Sequence, residues 1–154
     1  VGLLKLSLTF FLLTIAGSSA RADQIAIVVG PEVALENLSF SEVRQIFIGS
    51  RQFWSPNLRV TLLIQAPGAR EREAALKTIY QMSEAQFRQY WISKVFRAEV
   101  PGGPKVLYSH QTTLDMLLAI PGAVALVEAS QVPKNLKILK IDGRLPGQGG
   151  YKLP

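Results

Sequence analysis

Two short stretches of this chain hold residues whose types and spacing could do chemistry, and both read as the opening turn of a helix. The first is Gly68-Ala69-Arg70-Glu71-Arg72, preceded by Gln65-Ala66-Pro67. The first amides of a helix find no acceptor within it and the dipole is positive there, so such a turn attracts an anion. Gly68 leaves the backbone open to close approach, and Arg70 and Arg72 offer forked N–H donors suited to an oxyanion. A plainer reading fits the same residues: Glu71 and Glu73 satisfy the dipole, and the turn is an ordinary solvated helix start. The second stretch, Ser109 to Thr113, supplies the hydroxyls of Ser109, Thr112 and Thr113, with His110 among them. Thr112 followed by Asp115 also reads as a plain helix cap. A lone histidine with no nucleophile or carboxylate placed beside it by sequence reads as a surface residue.

Catalytic chemistry finds no foothold. There is no Gly-x-Ser-x-Gly, no His-Glu-x-x-His, no Gly-x-x-x-x-Gly-Lys and no acidic pair at an informative spacing. The absence of cysteine excludes a disulfide framework, a thiolate nucleophile and a Cys-based metal site, and one histidine excludes a histidine cluster. The expectation is a non-enzymatic protein without a metal or cofactor.

The chain has 154 residues, of which Val1 to Ala22 read as a cleavable export signal. Lys5 is a short positive start, Leu6 to Ala16 an apolar run, and Ala20-Arg21-Ala22 a small-x-small cleavage site. That run is too short to span a bilayer, which takes about 20 helical residues. The expected location is the periplasm or outside the cell, free of the membrane after cleavage. Lys5 and Arg21 fall in the signal, so the other 132 residues carry 15 basic and 11 acidic side chains, a net +4. This mild, scattered excess suits an anionic ligand or surface. Nucleic acid is not expected, because the aromatics lie on the apolar sides of helices rather than interleaved with a basic patch.

The elements that must position these stretches follow from periodicity and caps. Gln24 to Gly30 is a β-branched run apolar on both faces, a central and parallel strand. Ser39 and Glu42 form a capping box with a Leu38–Val43 staple, and Phe40, Val43, Ile46 and Phe47 give the helix its apolar side until Gly49 stops it. Gln52 to Asn57 is a turn, and Arg59 to Gln65 a second strand joined to the first by a parallel crossover. Arg70 to Gln81 is a helix; so is Ser83 to Phe96, with a capping box of Ser83 and Gln86 and a stripe of Phe87, Tyr90, Trp91 and Val95. Arg97 to Ser109 reads as a loop, and Gln111 to Ile120 as a helix burying Leu114, Leu117 and Leu118. Ala123 to Val127 and Leu136 to Ile141 are strands, and Gly143 to Pro154 is a Gly/Pro-rich tail expected to be ordered only in part. The alternation predicts an α/β fold: a three-layer sandwich with a mainly parallel sheet and helices on both faces. The expected organisation is signal 1–22, one domain 23–142 and tail 143–154.

Three segments carry a family resemblance. Leu38-Ser39-x-x-Glu42-Val43-x-x-Ile46-Phe47-x-Gly49, with Trp54 five residues on, is similar to a segment of the phosphate-binding proteins of bacterial ABC transporters. The helix with Phe87, Tyr90-Trp91 and Phe96 resembles that family's Tyr-Trp…Phe helix. Ile120-Pro121-Gly122-Ala123-Val124-Ala125-Leu126-Val127 resembles its Leu-Pro-Gly-Ala-Ile-Gly-Tyr-Val segment, with Ala125 and Leu126 replacing Gly-Tyr.

The resemblance implies one lobe of a type II periplasmic binding protein, with Ile25–Val29 and Ala123–Val127 as the hinge strands. The family's phosphate-binding turn, of the type Arg/Ser-x-Asp-Gly-Ser-Gly-Thr, matches Gln65 to Glu71. Only Gly68 is retained: Ala69 stands where a hydroxyl would donate, Pro67 where a carboxylate would accept, and Glu71 adds negative charge. The expected ligand set is Gly68, Ala69, Arg70, Arg72 and Ser109, for phosphate or a similar oxyanion. A solitary lobe leaves the ligand open on one side and binds weakly, unless a second copy or a membrane-protein partner covers that face. The alternative is a periplasmic interaction module that kept the fold and lost the ligand.

Overall fold

The computed structural model describes residues 24–154; the segment read as an export signal lies outside them. Six strands form one sheet: β1 (Ile25–Val29), β2 (Asn37–Leu38), β5 (Thr61–Gln65), β6 (Lys105–Leu107), β7 (Ala123–Glu128) and β8 (Lys137–Ile141), in the order β2-β8-β1-β7-β5-β6. β3 (Phe53–Ser55) and β4 (Leu58–Arg59) make a separate hairpin. The helices are α1 (Phe40–Phe47), α2 (Arg70–Ala74), α3 (Glu84–Phe96) and α4 (His110–Ala119).

β5 runs parallel to both β6 and β7, and β2 parallel to β8. β1 is antiparallel to both its neighbours, β7 and β8. Five of the six strands therefore point one way, and the sheet is mainly parallel, as the alternation of elements predicts. The expected direction of β1 is corrected: it is central, but it forms no parallel crossover with β5. An uninterrupted apolar run reports burial on two faces and is silent on direction.

β1 and β7 divide their side chains between two cores. Ile25, Ile27, Val29, Val124 and Leu126 face the core shared with α1, α2 and α3, whereas Ala26, Val28, Ala123, Ala125 and Val127 face α4 and its Leu117. Alanines at three positions of the second face bring α4 close to the sheet. Fully burying each Ile or Leu of these layers contributes about 1.5–3 kcal/mol.

Both capping boxes form. Ser39 Oγ accepts from the Glu42 amide at 3.1 Å, and Glu42 Oε2 accepts from the Ser39 amide at 2.8 Å. Ser83 and Gln86 repeat the arrangement at 3.2 and 2.9 Å. The Ser39 amide, donating to it, holds the Glu42 carboxyl below the usual range. Phe87 and Trp91 of α3 are buried, with rings of Phe47, Tyr80, Phe87 and Trp91 meeting edge to face in sequence. Burial pushes the Tyr80 phenol far up.

Other expectations change in detail. The helix from Arg70 continues beyond α2 as a π-helix, Ala75–Tyr80, and ends at Gln81 in the left-handed region (φ 55°). The wider turns keep Leu76, Ile79 and Tyr80 all on the core. The loop after α3 contains β6, an edge strand of three residues. α4 is capped by Ser109, whose Oγ accepts from the Thr112 amide at 3.1 Å, while Asp115 accepts from Gln111 instead of joining a cap. Val95 and Leu118 are exposed rather than buried. The Gly/Pro-rich tail packs on the domain: Leu153 is buried, Tyr151 Oη donates to Ile25 O at 2.8 Å, and Ile25 N donates to Pro154 O at 2.7 Å.

Candidate functional site

Because β5, β6 and β7 share one direction, their carboxyl ends lie along one edge of the sheet, and the turn 66–69, the start of α4 and Glu128 all open there. The Ala66 amide donates to Leu107 O at 2.8 Å, tying the turn to the segment that leads into Ser109. β5 and β7 pair only through Thr61–Ala123 and Leu62–Val124. Farther along, the buried Gln65 side chain bridges them, Nε2 donating to Leu126 O at 2.8 Å. From this point β5 leads toward β6 and β7 leads across β1 to β8. Such a reversal at the carboxyl ends of strands is where open α/β sheets place their ligands.

The sequence-predicted residues take different stations on this edge. Gly68 is exposed with φ 94°, and a Cβ there would meet nothing within 4 Å. Ala69 is the extended N-cap of α2 and supplies no side-chain acceptor; its carbonyl accepts the first helical bond, from Glu73 N at 3.0 Å. Arg70 is exposed, and its Nη1 donates to Glu128 Oε1 at 2.9 Å, so the guanidinium sits across the β5–β7 gap.

Arg72 turns the other way. It is 4% exposed, donates through Nε and Nη2 to both oxygens of Glu84 at 2.7 and 2.8 Å, and through Nη1 to Gln65 O at 3.0 Å. Its guanidinium also lies 5.1 Å from the centre of the Phe87 ring. The forked bond holds the Glu84 carboxyl below the usual carboxylate range. Arg72 thus braces α2 against β5 and α3, leaving Arg70 as the arginine presented at the edge. Ser109 is exposed, its Oγ engaged by the Thr112 amide and 2.7 Å from Thr112 Oγ1.

Sequence reasoning missed Gln65, Glu84 and Glu128. Their partners lie 61, 12 and 58 positions away, so no local pattern could have signalled them.

The opposite edge, at the amino ends of β5, β6 and β7, is organised around Gly122. Its carbonyl accepts from Trp54 Nε1 at 2.8 Å and from the Thr61 amide at 3.1 Å, and its own amide donates to Glu32 Oε1 at 2.8 Å. Gly122 has φ 80°, and a Cβ there would stand 2.0 Å from Arg59 O. Nearby, Tyr90 Oη donates to Ile48 O at 2.6 Å, and Gly49 (φ 75°) packs against the Trp91 ring. The three segments that carry the family resemblance therefore meet at one place and hold the fold together there. They do not form the Gly68 turn.

No protein-family profile matches the chain, and no curated protein matches it by sequence. Solved structures do. A phosphate ABC transporter substrate-binding protein from Clostridium perfringens, with phosphate bound, superposes with a TM-score of 0.64 at 13% identity over 80% of this chain and 47% of its own. An ABC-type phosphate transport receptor from Vibrio cholerae gives 0.64 at 15% identity, covering 80% and 48%. PstS from Borrelia burgdorferi gives 0.61 at 17%, covering 80% and 49%. The chain has the fold found in about half of each of these substrate-binding proteins. No helix among the described residues is long and apolar enough to cross a membrane.

Proposed function

We propose that this chain is an exported, solute-binding-like protein that takes phosphate or a similar small oxyanion at the carboxyl edge of β5, β6 and β7. The observation that carries this reading is the divergence of β5 and β7 with the Gly68 turn and Arg70 at its mouth. The opening amides of α2 and the Arg70 guanidinium are the donors, with Ser109 on the adjoining helix start. Ala69 contributes its backbone, and Arg72 fixes the turn from beneath. Glu128 competes with the anion for Arg70, and Glu71 opposes it by roughly 1 kcal/mol or more. The affinity is accordingly low, and the chain works beside a membrane transporter or a second copy that covers the open edge.

Equilibrium dialysis with labelled phosphate tests this directly. Saturation in the millimolar range is expected, lost in Arg70→Ala and Gly68→Asp and strengthened in Glu128→Gln. Absence of saturable binding rejects the reading. A second reading, an interaction module without ligand, draws on the exposed Ile92, Val95 and Phe96 of α3 and on the hydroxyl missing at Ala69. It expects a self-dimer or partner complex that persists when phosphate is absent.

A further inference from the structure

A cavity of about 300 Å³ opens at the amino edge of β5 and β6, on the far side of the sheet from the Gly68 turn. Its apolar walls include Leu62, Trp91 and Val100, and Arg51, Arg59 and Lys105 also line it, with no carboxylate among the lining residues. This volume is at the lower end of small-molecule sites, where a few polar groups orient a ligand against apolar walls.

The cations are placed by the β3–β4 hairpin and the start of β6. Arg51 Nε donates to Phe53 O at 3.2 Å, and the Glu42 carboxylate is 3.7 Å from its Nη1, beyond hydrogen-bond range. Arg59 lies 4.8 Å from the Phe53 ring centre, and its Nη1 reaches Gln52 Oε1 only at 3.4 Å. The Lys105 side chain has no hydrogen-bond or ion-pair partner among the described residues. Gln52 Nε2 donates to Glu99 O at 3.0 Å, fastening the hairpin to the loop that forms the other wall. The Trp91 ring forms part of the apolar wall, and its indole Nε1 is buried without a hydrogen-bond partner among the described residues.

Three cations gathered around an apolar cavity repel one another, and Arg59 and Lys105 have no carboxylate partner among the described residues, so an anion entering the cavity relieves that repulsion. We propose that this cavity binds a small organic anion, a carboxylate or phosphate monoester on an aromatic or short acyl body, the body lying against Trp91 and the charge meeting Arg59 and Lys105. The site is separate from the oxyanion turn and does not depend on it.

Phenyl phosphate and benzoate, titrated separately into ¹⁵N-labelled protein, distinguish the two acid groups. The expected result is saturable movement of the Trp91 indole signal and the Gly102 and Gly103 amides by at least one of them. Benzyl alcohol, which has the body without the charge, should bind about tenfold more weakly or worse, a difference of about 1.4 kcal/mol. Arg59→Glu and Lys105→Glu, both at exposed positions, should each weaken binding by about tenfold or more. An unchanged Trp54 indole signal shows that these variants fold. Gly68→Asp should leave this binding intact, so failure of the phosphate site and failure of this one are separable. The proposal is overturned if neither anion saturates these signals, if benzyl alcohol binds equally well, if both charge reversals bind as the wild type does, or if the shifts are confined to Gly68–Arg70.

Discussion

The two edges of the sheet hold glycines in the same left-handed conformation for opposite reasons. At the amino edge, Gly122 is enclosed: its carbonyl is shared by Trp54 and Thr61, and the space for a side chain is filled by the Arg59 carbonyl. At the carboxyl edge, Gly68 has φ 94° and open space around it. Gly122 is built into the packing of the domain, and Gly68 is left accessible. The family resemblance in the sequence lies almost wholly on the enclosed edge, so it speaks for the fold far more than for the ligand.

Substituting alanine at each glycine is the sharpest way to break this contrast. Gly122→Ala should be the most damaging, at about 4 kcal/mol, because it combines a disfavoured φ with a contact that only backbone movement can relieve. Chemical denaturation should show a large drop in midpoint. A loss below about 1 kcal/mol would mean that the amino edge is not the clamp described.

Next in size is the brace beneath the carboxyl edge. Glu84→Ala leaves the buried Arg72 without its carboxylate and should cost about 2 kcal/mol, less than for a fully buried pair because Glu84 is half-exposed. The sign of its pH dependence follows from the lowered Glu84 carboxyl. A depressed carboxyl contributes stability above its unfolded value, and that contribution is lost as the pH falls through the ordinary carboxylate range and then the folded value. Acid titration of stability should therefore be shallower in Glu84→Gln than in the wild type.

Smallest is Gly68→Ala, at about 1 kcal/mol, since only the backbone preference is violated and nothing is struck. If it equalled Gly122→Ala, the distinction between an enclosed and an open glycine would fail.

What could be read from the sequence follows the range of each interaction. The capping boxes of α1 and α3 span four residues and were legible to the residue, as was the helix stop at Gly49. β1 was legible as central because five consecutive side chains are buried, but its direction depends on β7, about a hundred positions away. β6 was hidden because three residues between Pro104 and Tyr108 are too few to display a period. Gly68 and Arg70 were correctly placed together at a helix start. Arg72, two residues on, looked equivalent to Arg70 until Glu84 and Gln65 drew it inward. The cavity was invisible because its lining comes from segments between Ile46 and Lys105 that meet only after folding.

The tail has one further consequence. Pro154 accepts the Ile25 amide and Tyr151 donates to the Ile25 carbonyl, so the start of the central strand and residues 151–154 are neighbours. The described domain is thus almost a closed ring. A short linker joining residues 154 and 24, with a new break at the exposed Gly102–Gly103 loop, would give a circular permutant whose ends flank the cavity, a natural place to attach a reporter.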